Sequence, residues 1–350
     1  MSRTVLVTGC GGTGLGAAVL QALAYSGDAW DPVAADAHPF SWGLYRAARA
    51  GLLPWADDPG YLTALQAMIA EHQIAAVIPG TEAETVLLAE RRYQLQTTVI
   101  ANRARLMPLM TDKEYAQREL ARLALPFVPS YPWAQRERAI EDFGFPLVVK
   151  PTKTTSASRG VFLVTSPNEL MILGPLLQPS KAPVVQPYLG DVSAEYSVMV
   201  LSDRDGTVID SLVIKRELTG FSLRDEKMWR PPGSKGERHR LAISTGYTQG
   251  YIVRDAEIQG FAEQLAKTLG SCGPLDLQLR IHGGQPHLFE VQPRFSFSSP
   301  IRAACGFNEP DVLLRSFLDG EEFTRLGYRD NVAAIRAFTQ LLVPVDEMLR

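Results

Sequence analysis

The sequence has few cysteines, no large excess of one charge and no long apolar run. Its 350 residues include three cysteines, Cys10, Cys272 and Cys305, which lack the spacing of a disulfide framework or a thiolate metal site. A formal net charge of -3 argues against nucleic acid as a partner. No stretch approaches a membrane span, and the amino terminus passes directly into a strand pattern without a signal peptide. We therefore expect a cytoplasmic protein without a nucleic-acid or membrane partner.

The composition, 46% hydrophobic and 21% charged over 350 residues, predicts two or three packed domains. Short apolar strands and helices alternate along the first hundred or so residues, with strands expected at 4–8, 33–35, 75–78 and 98–100. Such alternation predicts a parallel sheet whose loops gather at one edge. The loops at residues 9–14 and 79–84 should therefore meet, and that edge is a candidate substrate wall.

The first of these loops contains the pattern G-x-G-x-x-G at Gly9, Gly11 and Gly14, between a strand and a helix. With Asp36 after the next strand, the pattern is compatible with a dinucleotide site, in which the acid would bind a ribose. Glycines at a strand-to-helix turn also serve backbone curvature and close packing in many α/β domains. Both interpretations stay open at this stage.

A second notable segment lies near the carboxyl end, where Glu290 stands inside an apolar strand pattern. Residues 275–280 form another strand pattern, and His282-Gly283-Gly284-Gln285 suits a hairpin turn between the two. Pairing would bring Gln278 near Glu290 and Gln292. Three oxygen donors with one charge suit Mg²⁺ carrying ATP phosphates better than zinc. The alternative is an ordinary hairpin in which Glu290 pairs with Arg280 or Arg294.

The runs GPLDLQ and FEVQPRFSFSS resemble the carboxyl-terminal part of the ATP-grasp superfamily, most closely its carbamoyl-phosphate-synthetase-like branch. That branch typically has N-x-Q followed by E-x-N-P-R-x-S. The resemblance implies that Gln278, Glu290 and Gln292 are metal ligands and that Arg294 faces the phosphates. Gln292 stands where asparagine is usual and adds a methylene to that donor.

Further motifs follow the order of the same superfamily over roughly residues 1–320. In FPLVVKP, Lys150 matches the strand-end lysine that reaches the nucleotide phosphates, and Lys113 matches an earlier basic contact. Arg294 and Lys150 are therefore expected to act in catalysis. The expected cofactor-binding residues are Lys113, Lys150, Ser156 and Ala157 of a phosphate lid, Gln186, Tyr188 and Leu189 of an adenine hinge, and Glu195 for the ribose.

The implied fold is α/β, a Rossmann-like pre-ATP-grasp domain followed by a two-lobed ATP-grasp α+β domain. We expect the pre-ATP-grasp domain at 1–105, the small lobe at 106–185, the large lobe at 186–325 and a carboxyl-terminal segment at 326–350. A strand near 332–345 is expected to lean on a sheet.

The implied function is an ATP- and Mg²⁺-dependent ligase, which activates a small carboxylate as an acyl phosphate for attack by an amine. A homodimer is compatible with it. The alternatives are carbamoyl-phosphate-like phosphorylation of a small acid, an NAD(P)-dependent dehydrogenase and a non-catalytic nucleotide-binding regulator.

Overall fold

A computed structural model describes most of the chain. The described residues are 3–12, 14–152, 160–177, 183–190, 192–230, 233, 235–236, 238–337 and 340–349. The expected lid residues Ser156 and Ala157 lie outside these ranges.

The amino-terminal part forms a five-stranded parallel sheet in the order β3-β2-β1-β4-β5. Its strands are β1 Arg3–Val7, β2 Trp30–Asp36, β3 Arg49–Leu52, β4 Ala76–Ile78 and β5 Thr98–Val99, and its helices are α1 Leu15–Leu23, α2 Tyr61–His72 and α3 Glu82–Arg91. The predicted alternation is confirmed, although β3 was missed. The strand order reverses direction between β1 and β4, and in open α/β sheets a crevice forms at this switch point.

A four-stranded antiparallel sheet follows, in the order β6-β9-β7-β8. Helix α4 Met107–Thr111 and helix α5 Lys113–Arg122 precede it; the sheet contains β6 Tyr131–Pro132, β7 Leu147–Pro151, β8 Phe162–Val164 and β9 Pro183–Pro187, with helices α6 Arg136–Phe143 and α7 Pro167–Leu173. Asp112 caps α5, because its carboxylate accepts from the amide of Tyr115 at 2.9 Å. This cap fixes Lys113 at the start of the helix, next to the end of β7.

The largest sheet is antiparallel, with six strands in the order β16-β15-β10-β11-β14-β17. Its strands are β10 Glu195–Ser202, β11 Val208–Arg216, β14 Gly250–Val253, β15 Gly273–His282, β16 Gln285–Gln292 and β17 Val332–Ala334; β12 Leu223–Trp229 and β13 His239–Ser244 form a separate ribbon. Helix α8 Ala256–Leu269 packs on this sheet, and helices α9 Ser299–Ala304 and α10 Glu309–Asp319 follow.

Buried apolar residues of the sheets and helices form several adjoining hydrophobic cores. One core joins β1 and α1 with residues of the six-stranded sheet and with Phe295 and Phe307, so the amino-terminal domain and this sheet share a packed interface. Leu109 and Leu120 of α4 and α5 lie in the core of the six-stranded sheet. The predicted carboxyl-terminal strand does pair with β14, but it is only three residues long, Val332–Ala334. The expected domain boundaries stay a prediction.

None of the helices in the described part of the chain combines the length and apolar character needed to span a bilayer. The three cysteines are buried free thiols.

Candidate functional site

A cavity of about 550 Å³ lies where the amino-terminal domain, the four-stranded sheet and the six-stranded sheet meet. We call it the main cavity. Its size is within the usual range of small-molecule sites. Of the residues predicted from the sequence, it is lined by Lys150, Gln186, Tyr188, Leu189, Glu195, Gln278, Glu290, Gln292 and Arg294. The full lining extends from Gly14 to Ser298, so segments distant in the sequence converge at one place.

The β15–β16 hairpin contains the predicted metal ligands of this cavity. Its turn places Gly283 and Gly284 at φ of 58° and 75°, a left-handed geometry that favours glycine. The register pairs Gln278 with Glu290, so the predicted proximity is confirmed. Glu290 and Gln292 share a face, and the Gln292 amide donates to the Glu290 carboxylate at 2.7 Å. Glu290 is only partly buried, so the expectation of a carboxylate inside an apolar interior is wrong: its side chain faces the cavity.

The proposed structural ion pairs of Glu290 do not form. Arg280 instead pairs with Glu195, at 2.7 Å, and Arg294 pairs with Glu82, at 2.9 Å. Among the ion pairs of the described residues, none involves Glu290. The carboxylate is thus left to the cavity.

Two lysines lie within electrostatic range of Glu290. Burial lowers the pKa of Lys150 to about 7; the charge of Lys113 adds to this effect, and Glu290 opposes it. Burial also lowers the pKa of Lys113, which Glu290 and Glu82 oppose. Lys150 is 7% exposed and forms no ion pair with the described residues. A buried cation that lacks a paired anion is costly, and a polyanionic ligand would remove that cost.

The donor set at Glu290 fits a hard divalent cation. It offers one carboxylate and two amides, and oxygen donors of this kind suit Mg²⁺. Within the described ranges, no group of three His, Cys, Asp or Glu residues is arranged to hold a metal, so a thiolate- or imidazole-rich site is not supported there. Gln292 now turns its amide nitrogen toward Glu290, and rotating the amide would present its oxygen instead.

Another part of the cavity lining contains a closed polar network around Glu195. Glu195 is 2% exposed. Its carboxylate accepts from Arg216 at 2.7 Å and from Arg280 at 2.7 and 3.0 Å. The Arg280 guanidinium also lies over the Tyr188 ring, 4.1 Å from its centroid. Both Glu195 oxygens therefore have partners, and its predicted ribose contact stays a prediction.

Arg216 belongs to the same network. Its guanidinium is buried in the pair with Glu195, and it also donates to the Gln278 side-chain oxygen at 3.3 Å. The network thus connects Glu195 with Gln278.

The hinge residues form an apolar slot next to this network. Gln186 is buried, and its amide donates to the carbonyl of Val128 at 3.4 Å. The Tyr188 hydroxyl accepts from the amide of Ala242 at 2.8 Å, which ties β9 to β13. Leu189 lines the same wall.

The glycine-rich loop packs against the chain's own 79–84 turn, as predicted. Gly80 approaches so closely that a Cβ would lie 1.9 Å from the carbonyl oxygen of Thr8. Gly9 has φ of 58°, and a Cβ there would lie 2.7 Å from a Glu84 carboxylate oxygen. Asp36 accepts a hydrogen bond from the His38 amide. Close packing therefore accounts for Gly9 and Gly14 of this loop.

Two acidic residues of the lining, Glu82 and Asp276, were not among the predicted site residues, although Glu82 lies in the 79–84 loop expected to form a substrate wall. Glu82 lines the main cavity and binds Arg294. Asp276 lines it as well, two residues before Gln278 on the same face of β15, and it accepts from Arg302 at 2.9 Å. The alternation of β15 could have indicated Asp276. Nothing local to Glu82 indicates its partner.

No protein-family model matches the sequence. It is 25% identical over 226 residues to the carbamoyl phosphate synthase large chain of Pseudomonas putida, covering 63% of this chain and 20% of that protein. It is 27% identical over 269 residues to the formate-dependent phosphoribosylglycinamide formyltransferase of a Synechococcus strain, covering 75% of this chain and 63% of that protein. The chain thus spans less than two thirds of the length of either relative.

The fold is also similar to solved structures. N5-carboxyaminoimidazole synthetase from Staphylococcus aureus, complexed with ADP, gives a TM-score of 0.65 at 14% identity, over 94% of this chain and 81% of that chain. The biotin carboxylase domain of Hydrogenobacter thermophilus 2-oxoglutarate carboxylase, with MgADP and bicarbonate, gives 0.64 at 15% identity, over 95% and 72%. The chain therefore shares the fold of these two solved structures.

Proposed function

We propose that this protein is an ATP-dependent ligase that activates a carboxylate as an acyl phosphate and joins it to an amine. The observation that supports this most directly is the convergence of Lys150 and Glu290 in one cavity of an ATP-grasp fold. Lys150 is a buried cation without an ion pair among the described residues, and Glu290 is a carboxylate without one. A nucleotide phosphate with Mg²⁺ complements both charges.

The nucleotide orientation follows from two parts of the cavity lining. The adenine would lie in the apolar slot beside Gln186, Tyr188 and Leu189, and the phosphates would extend toward Lys150 and Lys113. Glu290, with the oxygens of Gln278 and Gln292, would hold Mg²⁺, which neutralises charge on the phosphates. Arg294, now paired with Glu82, would face the transferred phosphoryl group. Two solved neighbours of the same fold are complexes with ADP and with MgADP.

The reaction takes place in two balanced steps. A carboxylate oxygen of the substrate attacks the γ-phosphorus, forming a C–O–P linkage while the bond from the γ-phosphorus to the ADP oxygen breaks. The amine nitrogen then attacks the acyl carbon, the carbon–oxygen bond to phosphate breaks, and the nitrogen loses a proton. The protein supplies position and positive charge, and no side-chain nucleophile is required.

The substrates are proposed as a small-molecule carboxylate and a small-molecule amine. A cytoplasmic location and a homodimer remain parts of the proposal. The NAD(P)-dependent alternative is less well supported, because packing accounts for Gly9 and Gly14 and Asp36 does not line the main cavity.

The experiment is ADP release with a panel of carboxylates, with and without an amine, using substrate labelled with ¹⁸O in the carboxylate. A ligase transfers one labelled oxygen to inorganic phosphate and releases ADP only with the acid present. Unlabelled phosphate across the whole panel, with ADP release independent of acid and amine, would contradict the proposal.

A further inference from the structure

A second cavity, of about 660 Å³, lies beside the main cavity. We call it the side cavity. It is enclosed by α1 and the glycine loop on one side and by α9 and residues 332–337 on the other. Gly14 and Phe297 line both cavities, so the two adjoin. The volume is many times the roughly 30 Å³ that one water occupies, and it is far larger than a one-carbon acid requires.

One wall of the side cavity is aromatic. The Tyr247 ring lies 5.9 Å from Phe297 and 6.2 Å from Phe221, measured between centroids. Trp42 and Ile301 also line the cavity. Such a wall favours an apolar or aromatic ligand body.

The charges of the side cavity have one sign. Among its described lining residues, the charged ones are Arg329 and Arg336, and none is acidic. Arg329 lies exposed at the rim and donates to the Ala304 carbonyl at 2.7 Å. Arg336 is half-buried and donates to the carbonyl of Phe297, a residue that lines both cavities. It forms no ion pair with any described residue. Burial lowers the pKa of Arg336 to about 10, which marks a poorly solvated cation.

We propose that the side cavity binds the acyl-donor substrate, an organic carboxylate with an apolar or aromatic body, and that Arg336 orients its carboxylate toward the main cavity. A cationic lining repels the ammonium form of an amine, so it selects the donor over the acceptor. Phe297 lies three residues after Arg294. A carboxylate held beside Phe297 would therefore be near the transferred phosphoryl group. The donor assignment rests on the ligase function proposed above.

The test is titration calorimetry without nucleotide, using 3-phenylpropionate, its neutral amide 3-phenylpropionamide, and formate. Wild-type protein should bind the acid at least about tenfold more tightly than the amide or formate, because a charge-assisted hydrogen bond to Arg336 is lost in the amide. Arg336→Gln should weaken acid binding about 10- to 100-fold and remove the preference over the amide. Arg336→Lys should restore part of it.

Two further variants locate the binding. Ala304→Trp should fill the side cavity and weaken both the acid and the amide at least about tenfold, since it removes space and not charge. Arg315→Gln, on a helix outside the cavity, should leave binding unchanged. Circular dichroism confirms folding of each variant, and Arg336→Gln decides the matter if Ala304→Trp does not fold. Equal binding of formate, no binding of 3-phenylpropionate, or wild-type acid binding in Arg336→Gln would overturn the proposal.

Titration with Mg-ATP separates this proposal from the ligase proposal. Arg336→Gln should bind Mg-ATP as wild type does, because it lies outside the proposed nucleotide site. Acid binding that depends on Arg336, together with absent Mg-ATP binding, would support the side-cavity site and contradict the ligase. Mg-ATP binding without any response to 3-phenylpropionate would contradict the side-cavity assignment alone.

Discussion

Two carboxylates of the main cavity, Glu195 and Glu290, differ in whether they form ion pairs. Beside the slot proposed for adenine, Glu195 is enclosed by Arg216 and Arg280, and every charge of this group has a partner. At the position proposed for the phosphates, the Gln292 amide is the one side-chain hydrogen-bond partner of Glu290 among the described residues, and Lys150 is buried without an ion pair among them. The first group is built for stability and position. The second leaves charges free for a ligand, at a cost in folding free energy.

Replacing Glu195 should have the largest effect on folding. Glu195→Ala leaves two buried guanidinium groups without their carboxylate, and breaking a buried pair typically costs about 3 to 5 kcal/mol. Urea denaturation should show this loss directly. Glu290→Ala is the matched control, and it should leave the free energy of unfolding within about 1 kcal/mol of wild type. Equal losses in the two variants would erase the distinction between the two carboxylates.

Glu290→Gln should have the largest effect on turnover. It keeps the volume and one acceptor oxygen but deletes the charge that would hold Mg²⁺, so ADP release should fall at least about a hundredfold. Without metal, the melting temperature should stay at the wild-type value. Glu71→Gln, at an exposed position of α2 outside the cavity lining, is the control. It should leave turnover and the magnesium midpoint at the wild-type values. Near-normal turnover of Glu290→Gln would remove the residue from the site.

Lys150→Ala should weaken Mg-ATP binding by about 1.5 to 3 kcal/mol, the contribution of a charge-assisted hydrogen bond. The fold should be retained, since the substitution removes a buried charge. Lys267→Ala, an exposed helix residue, is the control and should bind Mg-ATP normally. Titration calorimetry measures both. Unfolding of Lys150→Ala, or unchanged binding, would show that the lysine is structural.

The smallest predicted effect is the uptake of a proton on Mg-ATP binding. Because burial lowers the pKa of Lys150 to about 7, most free molecules lack this proton at pH 8. Mg-ATP raises the pKa again, so binding at pH 8 should take up as much as about 0.9 proton, and Lys150→Ala should abolish this uptake. Calorimetry in buffers of different ionisation enthalpy measures it. Proton release, or equal uptake by the variant, would contradict the assignment.

The same pKa shift affects stability. The folded state holds the Lys150 pKa below its ordinary value of 10.5, so the unfolded chain binds more protons between about 7 and that value. The contribution of this residue to the free energy of unfolding should therefore increase as the pH rises through this window. Below the window, the full destabilisation of the folded state by the buried lysine charge should be present.

The sequence was sufficient for features that depend on neighbouring segments. The hairpin places Gln278 opposite Glu290 because both strands and their glycine turn are contiguous. Strand–helix alternation likewise predicted that the 9–14 and 79–84 loops meet. The sequence could not show which acid is paired. Glu195 meets Arg280 only because β10 lies between β15 and β11, and Glu82 meets Arg294 across 212 residues and two domains.

The measurement that tests the central claim most directly is the melting temperature of the wild-type protein with Mg-ATP, with ATP and EDTA, and with NADH. A ligand that binds only the folded state raises this temperature by mass action. The proposed nucleotide site predicts a clear increase with Mg-ATP, a smaller one when EDTA removes the metal, and none with NADH. An increase with NADH and none with Mg-ATP would contradict the account.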